Sequence, residues 1–180
     1  MLNNTFIKIC GIEPESIVDG PGFRYVLFVQ GCSHKCKGCH NPESWDPNAG
    51  TNMSIQEILD DISKYPNIKN ITISGGEPFE QASAINELVK LLKTKNKHIM
   101  IYTGYTFEEL FTTYNPEVYD IIRNTDILVD GKFELEKRDL TLTFKGSSNQ
   151  RIIDVKKSMK KGKTILHDID KQNQKGEHND

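Results

Sequence analysis

The sequence predicts an α/β fold, an incomplete open (β/α) barrel with mainly parallel strands and a short N-terminal β-extension. Three observations carry this. Short β-branched runs alternate with amphipathic stretches, two of those stretches open on a capping box, and special loops follow the strand candidates. Strand, loop and helix in repeated order ask for parallel pairing with right-handed crossovers, in an open doubly wound sheet or a barrel that stops short. So few helices favour the truncated barrel. At 180 residues the chain suits one domain with a real core.

Residues 1–23 read as a short β-extension or hairpin with a turn at Pro21 and Gly22. RYVLFVQ (24–30) is a strand that ends where a cysteine-rich loop begins. Ser54 and Glu57 form a capping box, and Ile55, Ile58, Leu59 and Ile62 make one helical stripe behind it. IKNITIS (68–74) is the next strand, broken by GGEP, and Ala84, Ile85, Leu88, Val89, Leu91 and Leu92 mark a second helix. HIMIYTG (98–104) is followed by a second capping box, Thr106 with Glu109. Asn115 and Pro116 start a short helix through Arg123, and DILVDG (126–131) supplies a fourth strand. Later strand candidates are 140–144, 151–155 and 164–167. Residues 1–156 are expected to form the single domain, and 157–180 a polar, lysine-rich tail, solvated and partly disordered.

A net charge of −2, with 36% apolar and 27% charged residues, gives no general grip on polyanions, so no nucleic-acid partner is expected. The start MLNNTFIKIC lacks a basic, long-apolar signal, and no run approaches the roughly 18 apolar residues of a membrane span. A cytoplasmic protein without a membrane partner is expected. There, clustered cysteines point to metal or redox chemistry, while the isolated Cys10 reads as a small buried apolar residue.

The cluster is GCSHKCKGCHNPESW, with Cys32, Cys36 and Cys39 at spacing C-x3-C-x2-C. Three thiolates can hold three irons of a [4Fe-4S] cubane and leave the fourth open for chemistry. A Cys3His zinc site stays open as the alternative, since His34 and His40 lie in the same segment. In SGGEPF, Gly75 and Gly76 directly after a strand would let a ligand approach the main chain, and the Glu77 carboxylate suits a cationic amine. Taken alone, that loop is equally well a plain β-to-α turn.

Taken together, C-x3-C-x2-C at one strand end and GGEP at the next resemble the radical S-adenosylmethionine superfamily. That resemblance implies a [4Fe-4S] cluster on Cys32, Cys36 and Cys39, with the open iron chelated by the amino and carboxylate groups of S-adenosyl-L-methionine. It implies further that Gly75, Gly76 and Glu77 receive the methionine amino group. Many members carry an aromatic residue before the third cysteine; here that place is Gly38, so adenine would meet the main chain near Gly38, Cys39 and His40. VDGPGFRYVLFVQGCSHKCKGCHNPESW, SGGEP, YTGY, LVDGKF and FKGSSNQRIIDV, in order over 18–155, are similar to the glycyl-radical activases of anaerobic ribonucleoside-triphosphate reductase. For that family the implied activity is reductive cleavage of S-adenosylmethionine and hydrogen abstraction from a glycine. The implied partners are the large reductase subunit, whose glycine loop is the substrate, and a flavodoxin-type electron donor.

Asp130, Lys132 and Thr103 end strands at the same face and are read as cofactor contacts, against ordinary loop-end roles. The polar stretch 147–151 is read as a cofactor or partner contact. Asp19 and Arg24 are either electrostatic support for the cysteine loop or an exposed ion pair. His34 and His40 are read as supporting or surface groups, and Trp45 as packing over the cysteine loop. Competing readings are an activase for pyruvate formate-lyase or a related enzyme, a small-molecule radical enzyme, and a zinc-binding interaction module.

Overall fold

The computed structural model describes residues 5–176. Its strands are β1 (Phe6–Ser16), β2 (Arg24–Val29), β3 (Thr51–Ser54), β4 (Asn70–Gly75), β5 (His98–Tyr102), β6 (Ile127–Asp130) and β7 (Arg151–Asp154). Its helices are α1 (Ile55–Ser63), α2 (Ala82–Thr94), α3 (Phe107–Thr112), α4 (Pro116–Arg123), α5 (Val155–Lys161) and α6 (Asp168–Gly176). The strands form one open sheet in the order β3-β1-β2-β4-β5-β6-β7. Its middle strands β2, β4, β5 and β6 run parallel, whereas β1 pairs antiparallel with β2 and β3, and β7 antiparallel with β6. The sheet is therefore mixed, and the expected parallel character belongs to its centre. The reason lies in the connections: the loop between β1 and β2 is too short for a crossover, and no α-helix intervenes between β6 and β7.

Alternation along the strands builds two apolar faces. One carries Tyr25, Leu27, Ile71, Ile73, Ile99, Ile101 and Leu128 against Ile58 and Ile62 of α1, Leu88 and Leu92 of α2, and Ile121 of α4. On the other, Met100, Ile127, Val129 and Ile152 pack with Tyr102, Phe144 and Ile169. Both capping boxes form: Ser54 with Glu57 on α1 and Thr106 with Glu109 on α3. Asn115 caps α4, with its side chain accepting from Glu117 N at 2.9 Å.

Four expectations change. The 140–144 stretch is not a strand, because Asp139 captures the Thr141 amide and hydroxyl and Asn173 takes the Thr143 amide. The 164–167 stretch contributes a single bridge, Leu166 to Ile153. Arg24 forms no exposed ion pair: it is fully buried and donates to Thr72 Oγ1, Ile71 O and Pro21 O. Burial pushes its guanidinium down to about 10. Lastly, the segment beyond Lys156 carries ordered structure as far as residue 176: α5 ends on Gly162 at φ +63° and α6 follows. Residues 177–180 of the expected tail lie outside the described residues. No described helix is long and apolar enough to cross a membrane.

Candidate functional site

Parallel pairing of β2, β4, β5 and β6 sends the loops after all four strands to one edge of the sheet. There Cys32, Cys36 and Cys39 line a cavity of about 110 Å³ together with Gly75, Gly76, Glu77, Thr103, Gly131 and Gln150. A second cavity of about 440 Å³ adjoins it, sharing Cys39, Ser74, Tyr102, Phe133 and Gln150 and continuing past His40 and Phe144. The four loops thus make one trough.

Backbone bonds fix the cysteine loop at both ends. Gly31 N donates to Ser44 O at 2.7 Å and Cys32 N to Trp45 O at 3.1 Å, and Cys39 N closes a turn on Cys36 O at 3.1 Å. Ser33 N donates to Glu80 Oε1 at 2.8 Å. Gly38, at φ +75°, lets the loop press on Leu135, whose Cδ1 would lie 2.8 Å from any added Cβ. All three thiols are free and half-buried. Burial pushes the Cys32 and Cys36 thiols up, while backbone amides at His34 and Lys35, and at Phe133, pull them back. Binding to a metal would draw them to thiolates.

A soft, all-thiolate donor set of this kind fits an iron–sulfur cluster. For the zinc alternative, His34 lines the same cavity as the thiols but is engaged elsewhere, and His40 is exposed. His34 Nε2 is bonded to Glu77 Oε2 at 2.9 Å with its ring edge-on to Tyr105, and exposed His40 leans on Phe133. Among the described residues no three His, Cys, Asp or Glu side chains gather closely enough to hold a single ion.

Besides lining the cavity, the two glycines of GGEP permit a close contact within the chain. Gly76 N donates to Val29 O at 2.7 Å and Glu77 N to Gly31 O at 2.8 Å, and a Cβ on Gly76 would stand 2.2 Å from Gly31 O. The GGEP loop is pressed backbone-to-backbone on the cysteine loop. Glu77 is 1% exposed, and its carboxylate accepts from Thr103 Oγ1 at 2.9 Å, Gly104 N at 2.9 Å and Phe79 N at 3.1 Å as well as contacting His34. It therefore ties the cysteine, GGEP and YTGY loops together. Thr103 is equally committed, accepting from Tyr105 N at 3.1 Å.

Asp130 is buried in a paired contact with Arg151, Nε to Oδ1 at 3.0 Å and Nη2 to Oδ2 at 2.5 Å, and accepts from Phe107 N at the start of α3. Arg151 reaches on to Glu108, with Nη2 2.6 Å from Oε2. Lys132 is exposed; its carbonyl accepts from Asn149 Nδ2 at 2.8 Å, and its charge weakly opposes the burial that raises the Cys36 thiol. Sequence reasoning passed over Ser74, Tyr102 and Phe133, which line the trough. For two of them a signal existed: Ser74 and Tyr102 each follow by two residues a side chain of the second face, Thr72 and Met100.

The 4Fe-4S single cluster domain family matches this chain over residues 18–153. The anaerobic ribonucleoside-triphosphate reductase-activating protein of Vibrio cholerae is 40% identical over 148 residues, covering 77% of this chain and 92% of the relative. The protein of that name from Escherichia coli K12 is 38% identical over 146 residues, 76% of this chain and 92% of its own. That of Enterobacteria phage T4 is 35% identical over 148 residues, 78% and 90% respectively. With three free thiols in the matched region, the chain belongs to the 4Fe-4S single cluster domain family and to the anaerobic ribonucleoside-triphosphate reductase-activating proteins.

Proposed function

We propose that this protein is a radical S-adenosylmethionine activase that installs a glycyl radical on the large subunit of anaerobic ribonucleoside-triphosphate reductase. The observation that carries the reading is the strand-end trough in which three free thiols face the Gly75–Gly76 backbone, in a chain 35–40% identical to activating proteins. Cys32, Cys36 and Cys39 would hold a [4Fe-4S] cluster. When bound, the cluster and S-adenosylmethionine supply one-electron cleavage to methionine and a 5′-deoxyadenosyl radical able to take hydrogen from a glycine α-carbon.

The chain's own contribution is binding, orientation and shielding. The backbone at Gly75 and Gly76 receives the methionine amino group, with Glu77 and Thr103 fixing the loops that present it. Main chain at Gly38, Cys39 and His40 meets the adenine side. Asp130, held by Arg151, sets the end of β6, and Lys132 beside Cys36 contributes positive charge near the cluster. The neighbouring 440 Å³ cavity is the place for the partner's glycine segment. We read the four parallel strands as a barrel stopped short, residues 1–156 as its body, and a flavodoxin-type protein as the electron donor. The reading of a cytoplasmic protein rests on four free cysteines.

The test is anaerobic incubation of the reconstituted, reduced protein with S-adenosylmethionine and the large reductase subunit. The expected result is a glycyl radical spectrum on that subunit with 5′-deoxyadenosine formed alongside. A radical on pyruvate formate-lyase but not on the reductase would move the assignment to another activase. Turnover of a free small substrate without any protein acceptor would overturn it.

A further inference from the structure

We propose that α6 braces the trough from behind: the buried pair Lys145–Asp170 positions Gln150, and through it the wall beside the cysteines. The inference rests on the activase reading for what the trough holds.

Helix α6 lies past residue 153, where the match to the 4Fe-4S domain ends. It nevertheless grips the 138–146 segment at three places. Asn173 Nδ2 donates to Thr143 O at 3.1 Å while its Oδ1 accepts from Thr143 N at 3.0 Å, a two-way clasp like that of a neighbouring strand. Ile169 packs in the apolar group that contains Phe144. Asp170, 0% exposed, has Oδ1 at 2.7 Å from Lys145 Nζ.

Lys145 passes this support on. Its Nζ donates to Gln150 O at 2.9 Å. The Gln150 side chain accepts from Gly146 N at 2.9 Å and Ser147 N at 3.2 Å and donates to Gly131 O at 3.0 Å. Gly131 and Gln150 line the cavity of the three cysteines, and Lys145, Gly146 and Gln150 line the larger one. A single residue, Lys145, therefore separates the α6 carboxylate from Gln150 in the wall of the site.

Stability alone does not account for the pair. Burying both charges is costly, and among the described residues neither Asp170 oxygen has a hydrogen-bond donor beyond the 2.7 Å ionic contact of Oδ1 with Lys145. Apolar residues of similar size would serve packing as well or better. Donation to the Gln150 carbonyl is what the Lys145 Nζ provides and an apolar side chain would not, and Asp170 lies directly against that Nζ in a buried place. The wall needs such a hold, because Phe144 sits at φ +59° with its carbonyl fastened by Tyr102 OH at 2.9 Å.

The test uses the full chain carrying Lys145→Met with Asp170→Leu, which removes both charges at similar volume, and separately Asp170→Asn. Hydrogen exchange of the Gly146 and Ser147 amides in the cofactor-free protein should quicken about tenfold, the scale expected for loss of one hydrogen bond to a charged group. After reconstitution, iron content should match wild type, while the S-adenosylmethionine concentration that half-changes the reduced-cluster spectrum rises about tenfold. Wild-type exchange and a wild-type titration in the double variant would overturn the proposal, as would faster exchange with an unchanged titration. If the wild-type spectrum ignores S-adenosylmethionine, the activase reading fails, and exchange alone then decides whether the pair holds the wall.

Discussion

Replacing Glu77 by Gln removes a carboxylate on which donors from Thr103, Gly104, Phe79 and His34 converge. The amide cannot accept at both ends, so a buried donor loses its partner. We expect about 2 kcal/mol of lost stability, read from the urea midpoint, and poorer iron uptake as the three loops loosen. Gly76→Ala should cost as much or more, about 3 kcal/mol, since the new methyl would meet the Gly31 carbonyl at 2.2 Å. For the thiols the expectation is a contrast: alanine at Cys32, Cys36 or Cys39 lowers bound iron, whereas Cys10→Ala, on β1 outside the cavity, leaves it unchanged. The cysteine spacing was legible because its residues are adjacent in sequence. The work of Glu77 was not, because its donors stand at residues 34, 103 and 104 and only folding brings them to it.

At the level of elements, local rules read well and long-range competition did not. Ser54 with Glu57, Thr106 with Glu109 and Asn115 before Pro116 each start the helix they mark, since a cap is settled within four residues. LTLTF alternates as a strand should, yet its backbone groups are taken by Asp139 and by Asn173 from α6, which no periodicity reveals. β3 is a short polar stretch that forms because β1 offers it an edge. The contact between α3 and β7 gives a pH prediction. The Arg151 guanidinium holds the Glu108 carboxyl down to about 2, from an ordinary value of 4.5. A depressed carboxylate stabilises the fold above its unfolded value and loses that contribution as pH falls through the folded one. The melting temperature of wild type should therefore exceed that of Glu108→Gln at pH 7, by a small margin because Glu108 is exposed, and the two should converge between pH 4.5 and about 2.

Over the whole molecule, one face of the open sheet is sealed by helices and the other meets the trough, so the site is bounded by groups that serve packing as much as chemistry. Arg24 is fully buried and held by carbonyls of residues 21 and 71 and the Thr72 hydroxyl. Arg24→Met should lower stability by about 2–4 kcal/mol, because three acceptors lose a charged donor in a place water does not reach. Parallel pairing at the centre was legible from the βα repeats, whereas the antiparallel flanks follow from connections without a crossover helix, short between β1 and β2 and irregular between β6 and β7. In the proposed function three thiolates hold a cluster with one iron free for S-adenosylmethionine. Its most direct test is the electron paramagnetic resonance spectrum of the anaerobically reconstituted, reduced protein before and after that cofactor is added. The expected result is a reduced [4Fe-4S] signal that changes on addition. A colourless, zinc-containing protein, or an iron signal indifferent to S-adenosylmethionine, would contradict it.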